Sequence, residues 1–267
     1  MAPSIRIPTA EDFTVLAPAL TVSLHFPSPP ESTTAILLLF HGLGDSEASF
    51  ATFARNMSLP GVLAISVRGT SPLPPALLGD ALDDGPTRHF HWGDDLNLAP
   101  GTGELDPDPG FSKAADLIVD RLIQETLIGK CGWKTSDILL FGFGQGGSLA
   151  LGLASKIRAS PRVEEVKDDE GAESGDKVFK GVVSIGGPLP PSMIPGLSAR
   201  PKSKTPVLIC RGNASESVDE ESIDSLKREF VDVRITNWKK SDDSMPRNRD
   251  EMLPIMKFFA ERLRSGW

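Results

Sequence analysis

Tyrosine is absent from the 267 residues, so no phenol can serve as acid, base or nucleophile. Cysteine occurs only twice, as Cys131 and Cys210, with no CxxC pair, which excludes a disulfide framework. Two free thiols suit a reducing, cytoplasmic compartment. Positive charge is in short supply, with 28 Lys and Arg against 36 Asp and Glu, a net of −8. Phosphate backbones want a basic face, so nucleic acid is excluded as a general partner, and nothing polybasic draws the chain to anionic lipid. The longest apolar run, 35–40, falls far short of the roughly 20 residues that a membrane helix needs, which excludes integral membrane association. The first ten residues lack a basic stretch followed by a long apolar one, so no leader peptide is expected. Histidine is scarce as well: His25, His41, His89 and His91 are the full set, and none follows residue 91.

What is present is an alternation of strand and helix patterns. Residues 21–26 alternate apolar and polar, as an edge or half-buried strand does. The run 35–40 is short and continuously apolar, as a strand buried on both faces is, and 61–67, 137–141, 178–185 and 207–211 also read as strands. Residues 231–238 complete the strands. Between them lie helical patterns: 46–57 with Ser46 as its cap, 111–127 with an apolar face through Ile118 and Leu122, then 148–157, 220–230 and 250–263. This alternation predicts an open, doubly wound, mostly parallel α/β sheet in a single domain over 1–267. Residues 68–110 are irregular and rich in Pro, Gly and Asp, and a stretch this long without period is usually functional. Residues 163–177 are charged and nearly free of large apolar side chains, and read as a solvated, disordered insertion.

The glycine turn at 142–147, Gly-Phe-Gly-Gln-Gly-Gly, fits two templates. Read as GxGxxG it is a dinucleotide-binding turn. The acidic residue expected about twenty positions on then falls inside the charged insertion, near Glu164 and Glu165, before any strand. Read as GxSxG it is a nucleophile elbow with Gly144 at the apex, where strand and helix meet so closely that glycines are required. The segment His89-Phe90-His91-Trp92-Gly93-Asp94-Asp95 has three readings: packing of the loop, pocket lining by His91 and Trp92, and a metal site. The metal reading lacks the further histidines that hydrolytic metal motifs use.

The elbow resembles that of the acyl-protein thioesterases and related carboxylesterases, in which it reads Gly-Phe-Ser-Gln-Gly-Gly, so this chain differs at Gly144 alone. Three other segments are similar to that family: residues 37–45 with His41-Gly42-Leu43-Gly44-Asp45, Trp92-Gly93-Asp94, and Gly181-Val182-Val183-Ser184. The resemblance implies the α/β-hydrolase fold and, for intact members, ester or thioester hydrolysis without cofactor or metal. It implies an oxyanion hole formed by the N–H groups of Leu43 and Gln145, with His41, Gly42 and Trp92 beside it. It places the nucleophile at Gly144, the acid at Ser215 and the histidine at Met245, none of which can perform the role. Asp219 is a slipped substitute for the acid, although an acid without a histidine to orient has no role. Ser148, past the apex, reads as a helix residue. The expectation is a non-catalytic relative that binds an acyl chain, a lipidated peptide or a protein partner. The alternative is an ester or thioester hydrolase with a rearranged site.

Overall fold

The computed structural model describes residues 5–74, 77, 89–96, 105–157, 178–196 and 201–264; the charged stretch 163–177 lies outside them. Four apolar runs become strands buried on both faces: β2 (Ala35–Phe40), β3 (Val62–Val67), β6 (Ile138–Phe143) and β7 (Gly181–Ile185). Less apolar segments take the outside positions, with β1 (Val22–His25) at one edge and β9 (Val233–Asn237) at the other, both largely half-buried. With β8 (Val207–Arg211) they form a seven-stranded sheet in the order β1-β3-β2-β6-β7-β8-β9. Every pairing is parallel except that of β1 with β3. The expected mostly parallel, doubly wound sheet is therefore present. Within 68–110, Ser71–Pro72 (β4) and Phe90–His91 (β5) form a small antiparallel pair.

Helices cover both faces because a sheet with two apolar faces must bury both. On one face lie the helical segment from Ser112, α3 (Gln145–Lys156) and α4 (Glu220–Glu229), packed through Ile118, Leu122, Leu149, Leu153 and Leu226. On the other lie α1 (Glu47–Met57) and α5 (Arg249–Arg264), packed through Phe50, Ala54, Ile255, Phe258 and Phe259. Among the described residues no helix is long and apolar enough to cross a membrane.

Two local expectations are corrected. Ser46 stands at the N-cap of α1, but its hydroxyl makes no capping bond. Asp45 supplies the acceptor instead, its Oδ1 taking the Ser46 N–H and the Ser49 hydroxyl, each at 2.7 Å. The helix from 111 is α-helical only over Ser112–Asp116 (α2) and then widens to π geometry over Leu117–Lys130. Its closing bonds span five residues, as from Cys131 N–H to Thr126 C=O. Nothing in the sequence explains the widening.

Phe141, on the central strand β6, is the hub of the α1/α5 face. Its ring centroid lies 5.1 Å from Phe53, 6.1 Å from Phe50 and 6.4 Å from Phe259. Truncating a large buried ring removes its transfer energy and leaves a cavity. Phe141→Ala is expected to lower unfolding stability by about 3–5 kcal/mol in urea denaturation.

Candidate active site

Gly144 is the single residue between the end of β6 and the start of α3. Its backbone sits at φ +50°, ψ −121°, a region that costs a residue with a side chain about 1–3 kcal/mol. Its N–H donates to Ile185 C=O at 2.8 Å and its C=O accepts from Ser148 N–H at 3.0 Å, so the turn is held from both sides. The flanking glycines are present for a different reason. A β-carbon at Gly142 would lie 2.2 Å from Gly146 O, and one at Gly146 would lie 2.4 Å from the carbonyl oxygens of Phe40 and His41. At Gly144 an added β-carbon would meet nothing within 4 Å. Of the turn's glycines, the apex alone faces open space, and it carries no reactive atom.

The loop following β2 lies beside this apex. His41 is fully buried, and Gly69 N–H donates to its Nε2 at 2.8 Å. Nε2 is therefore the acceptor nitrogen, and Nδ1 carries the proton that it donates to Gly42 C=O at 2.7 Å. Burial pushes the His41 pKa down, with the Arg68 charge adding to the shift, so the ring stays neutral. With both nitrogens engaged it has no lone pair to offer a substrate. Trp92 ties the loop to the elbow: its indole N–H donates to His41 C=O and its backbone N–H to Gln145 Oε1, each at 2.8 Å. The indole is fully enclosed, with ring centroids 5.0 Å from His41 and 5.5 Å from Phe40. Trp92 thus sits in the packing beneath the loop.

The N–H groups of Leu43 and Gln145 are among the backbone donors without a protein acceptor in the described residues. Leu43 itself is exposed. The Gln145 N–H opens the 12-residue α3, whose positive end faces the same way.

The positions expected for acid and histidine are occupied otherwise. The Ser215 hydroxyl donates to Asp243 Oδ2 at 2.6 Å and accepts from Val218 N–H at 3.0 Å. Asp243 Oδ1 accepts from Gly212 N–H at 2.7 Å. A β-carbon at Gly186, just past β7, would stand 2.6 Å from the Asp243 β-carbon, which places this carboxylate at the sheet end next to the elbow. Sequence reasoning missed Asp243. Its one signal was a hydroxyl at Ser215, where the resemblance leads one to expect an acid, which calls for an acceptor. The Met245 side chain joins the α1/α5 core, and its C=O accepts from Lys240 Nζ at 3.0 Å. Asp219 is spent as the N-cap of α4, accepting Ser222 N–H at 2.8 Å. Ser148 is buried in α3.

His89 donates from Nδ1 to Gly44 C=O at 2.7 Å, while its Nε2 is buried without a partner among the described residues. His91 is buried, its Nδ1 likewise unpartnered; burial first and the Lys113 charge second push its pKa down. Among the described residues no group of three or more His, Cys, Asp or Glu is placed to hold a metal ion.

Because burial lowers the His41 pKa, the unfolded chain binds the proton more readily than the folded one. The stability this provides is complete above the ordinary imidazole value of about 6.5 and is lost as pH falls below it. His41→Ala also strands the Gly69 N–H, and a loss of about 1–3 kcal/mol is expected at neutral pH. The variant should show a shallower fall in melting temperature between about pH 6.5 and 5 than the parent. Equal slopes would show that His41 does not carry this pH dependence.

The phospholipase/carboxylesterase family of α/β-hydrolases matches residues 25–162. A Schizosaccharomyces pombe protein described as an uncharacterized hydrolase is 30% identical over 230 residues, 85% of this chain and 83% of its own. Among solved structures, Zea mays acyl-protein thioesterase 2 superposes with a TM-score of 0.61 at 20% identity, covering 91% of this chain and 99% of that one. The carboxylesterase of Bacillus cereus does so with a TM-score of 0.62 at 15% identity, covering 95% and 100%. The dinucleotide-turn reading of 142–147 gives way to the elbow. A glycine-lined elbow after a central parallel strand, the loop of His41 packed against it and the matches over most of the chain lead to one assignment: the protein belongs to the phospholipase/carboxylesterase family of α/β-hydrolases.

Proposed function

We propose that this chain has lost the hydrolytic chemistry of its family and binds an acyl group, carried by a free acid, a lipidated peptide or an acylated protein partner. The observation behind this reading is the open apex at Gly144, which lacks a nucleophile yet lies by two unpaired N–H donors. Such donors stabilise an oxyanion by their fixed placement and do not depend on side chains. With no bond to break, the same donors hold the ground-state carbonyl or carboxylate oxygen. Loss of the nucleophile alone costs on the order of 10⁶ in turnover, and loss of its partners adds little. Roughly 10³–10⁴ over water remains available from hole and binding alone.

Purified protein is expected to hydrolyse p-nitrophenyl octanoate no faster than that residual rate, and to stay unlabelled by a fluorophosphonate. Octanoate and an S-octanoyl peptide should bind in calorimetric titration. Gly144→Gln, which fills the open space, should weaken both at least about tenfold. Covalent labelling of any serine, or binding unchanged in the variant, would overturn the reading.

A second reading, a hydrolase with a rearranged site, draws on the Ser215–Asp243 pair. In it the Asp243 carboxylate takes a proton from a water that attacks an ester or thioester carbonyl held by the two N–H donors; the tetrahedral adduct collapses with cleavage of the acyl C–O or C–S bond, and that proton passes to the departing alkoxide or thiolate. Turnover that disappears in Asp243→Asn while octanoate binding persists would select this reading. Turnover unchanged in that variant would exclude it.

A further inference from the structure

A cleft of about 710 Å³ opens at the carboxyl ends of β7 and β8, between the loops that follow them and the first turns of α4. That volume is within the range of about 300–1,000 Å³ typical of small-molecule sites. One wall is apolar, formed by Leu189, Ile194 and three prolines, Pro188, Pro190 and Pro191. Its loop is fixed by Asp108, whose carboxylate accepts both the backbone N–H and the hydroxyl of Ser192.

The remaining wall is anionic. Asp108, Glu216, Asp219, Glu221 and Glu229 line it, against the one guanidinium of Arg228. Three of these carboxylates already serve the fold: Asp108 on Ser192, Asp219 as the α4 cap and Glu229 on the Ser155 hydroxyl. Glu216 and Glu221 are exposed and make no hydrogen bond or ion pair among the described residues, although Glu221 also borders a neighbouring groove with Lys202 and Lys227. Carboxylates crowded along one wall raise the cost of bringing in another anion and lower that of a cation. The apolar wall favours a ligand that also carries a hydrocarbon or aromatic body.

We propose that this cleft binds a small amphiphilic cation, an organic ammonium on an apolar body, with the body against Leu189 and the prolines and the charge between Glu216 and Glu221. This site does not depend on the elbow reading, and its ligand is opposite in charge to an acyl carboxylate.

The test is calorimetric titration of the full chain at low ionic strength with n-hexylammonium, n-hexanol and hexanoate. Hexylammonium should bind about tenfold more tightly than hexanol, and hexanoate more weakly than either. Glu216→Gln/Glu221→Gln should weaken hexylammonium about three- to tenfold and leave hexanol unchanged. Because the chain is acidic throughout, Glu11→Gln/Glu31→Gln provides a variant of equal net charge with the cleft intact, and it should bind like the parent. Both pairs are exposed, so folding is expected to survive, as melting curves will show. Hexanol binding as tightly as hexylammonium would overturn the charge assignment, and equal weakening in both double variants would overturn the location. Tighter binding of a lysine-bearing peptide than of hexylammonium would overturn the small-ligand assignment.

Discussion

The start of α3 approaches the ends of β2 and β6 so closely that a β-carbon at Gly142 or Gly146 would stand inside van der Waals contact with backbone. The architecture of the site depends on this approach. It sets the start of the helix directly against the backbone of Phe40 and His41, where the chain leaves β2. Two kinds of glycine support it. Gly142 and Gly146 are needed for space, whereas Gly144 has ample space and a left-handed backbone. A family elbow accepts strain at its apex in order to present a nucleophile. Here the apex is a glycine, which adopts that backbone at little cost.

The loop beside the apex is held by groups that never need to meet a ligand. His41 is clamped as a neutral ring between Gly69 N–H and Gly42 C=O. Trp92 spans from His41 C=O to the Gln145 side chain, filling the space beneath with an enclosed indole. Side-chain bonds thus fix the backbone of the loop beside the elbow.

At the far side of the elbow, the Ser215 hydroxyl meets the carboxylate of Asp243. Each group satisfies the other, since a hydroxyl withdrawn from water needs an acceptor and a carboxylate needs donors. Next to it the carboxylates of the β7–β8 cleft fall into two kinds. Asp108 pins a loop and Asp219 caps a helix, whereas Glu216 and Glu221 do neither. The carboxyl edge of the sheet therefore carries two unlike environments side by side. One is the elbow with its open apex at Gly144, and the other is an anionic trough with an apolar wall.

The residue order alone determined the parallel α/β sheet, because runs such as 35–40 and 138–141 are apolar on both faces and only a doubly covered strand buries both. It also determined that Gly144 carries no nucleophile and that no histidine follows the elbow, since these are statements of residue type. Tertiary structure decided which partners meet. Ser215 and Asp243 are 28 positions apart, and Trp92 and His41 are 51. Asp45 rather than Ser46 supplies the acceptor at the start of α1, and Asp219 is spent on α4. A local pattern reports which face of a strand or helix is apolar. The sheet order and the loops leaving its carboxyl edge settle which carboxylate reaches which hydroxyl.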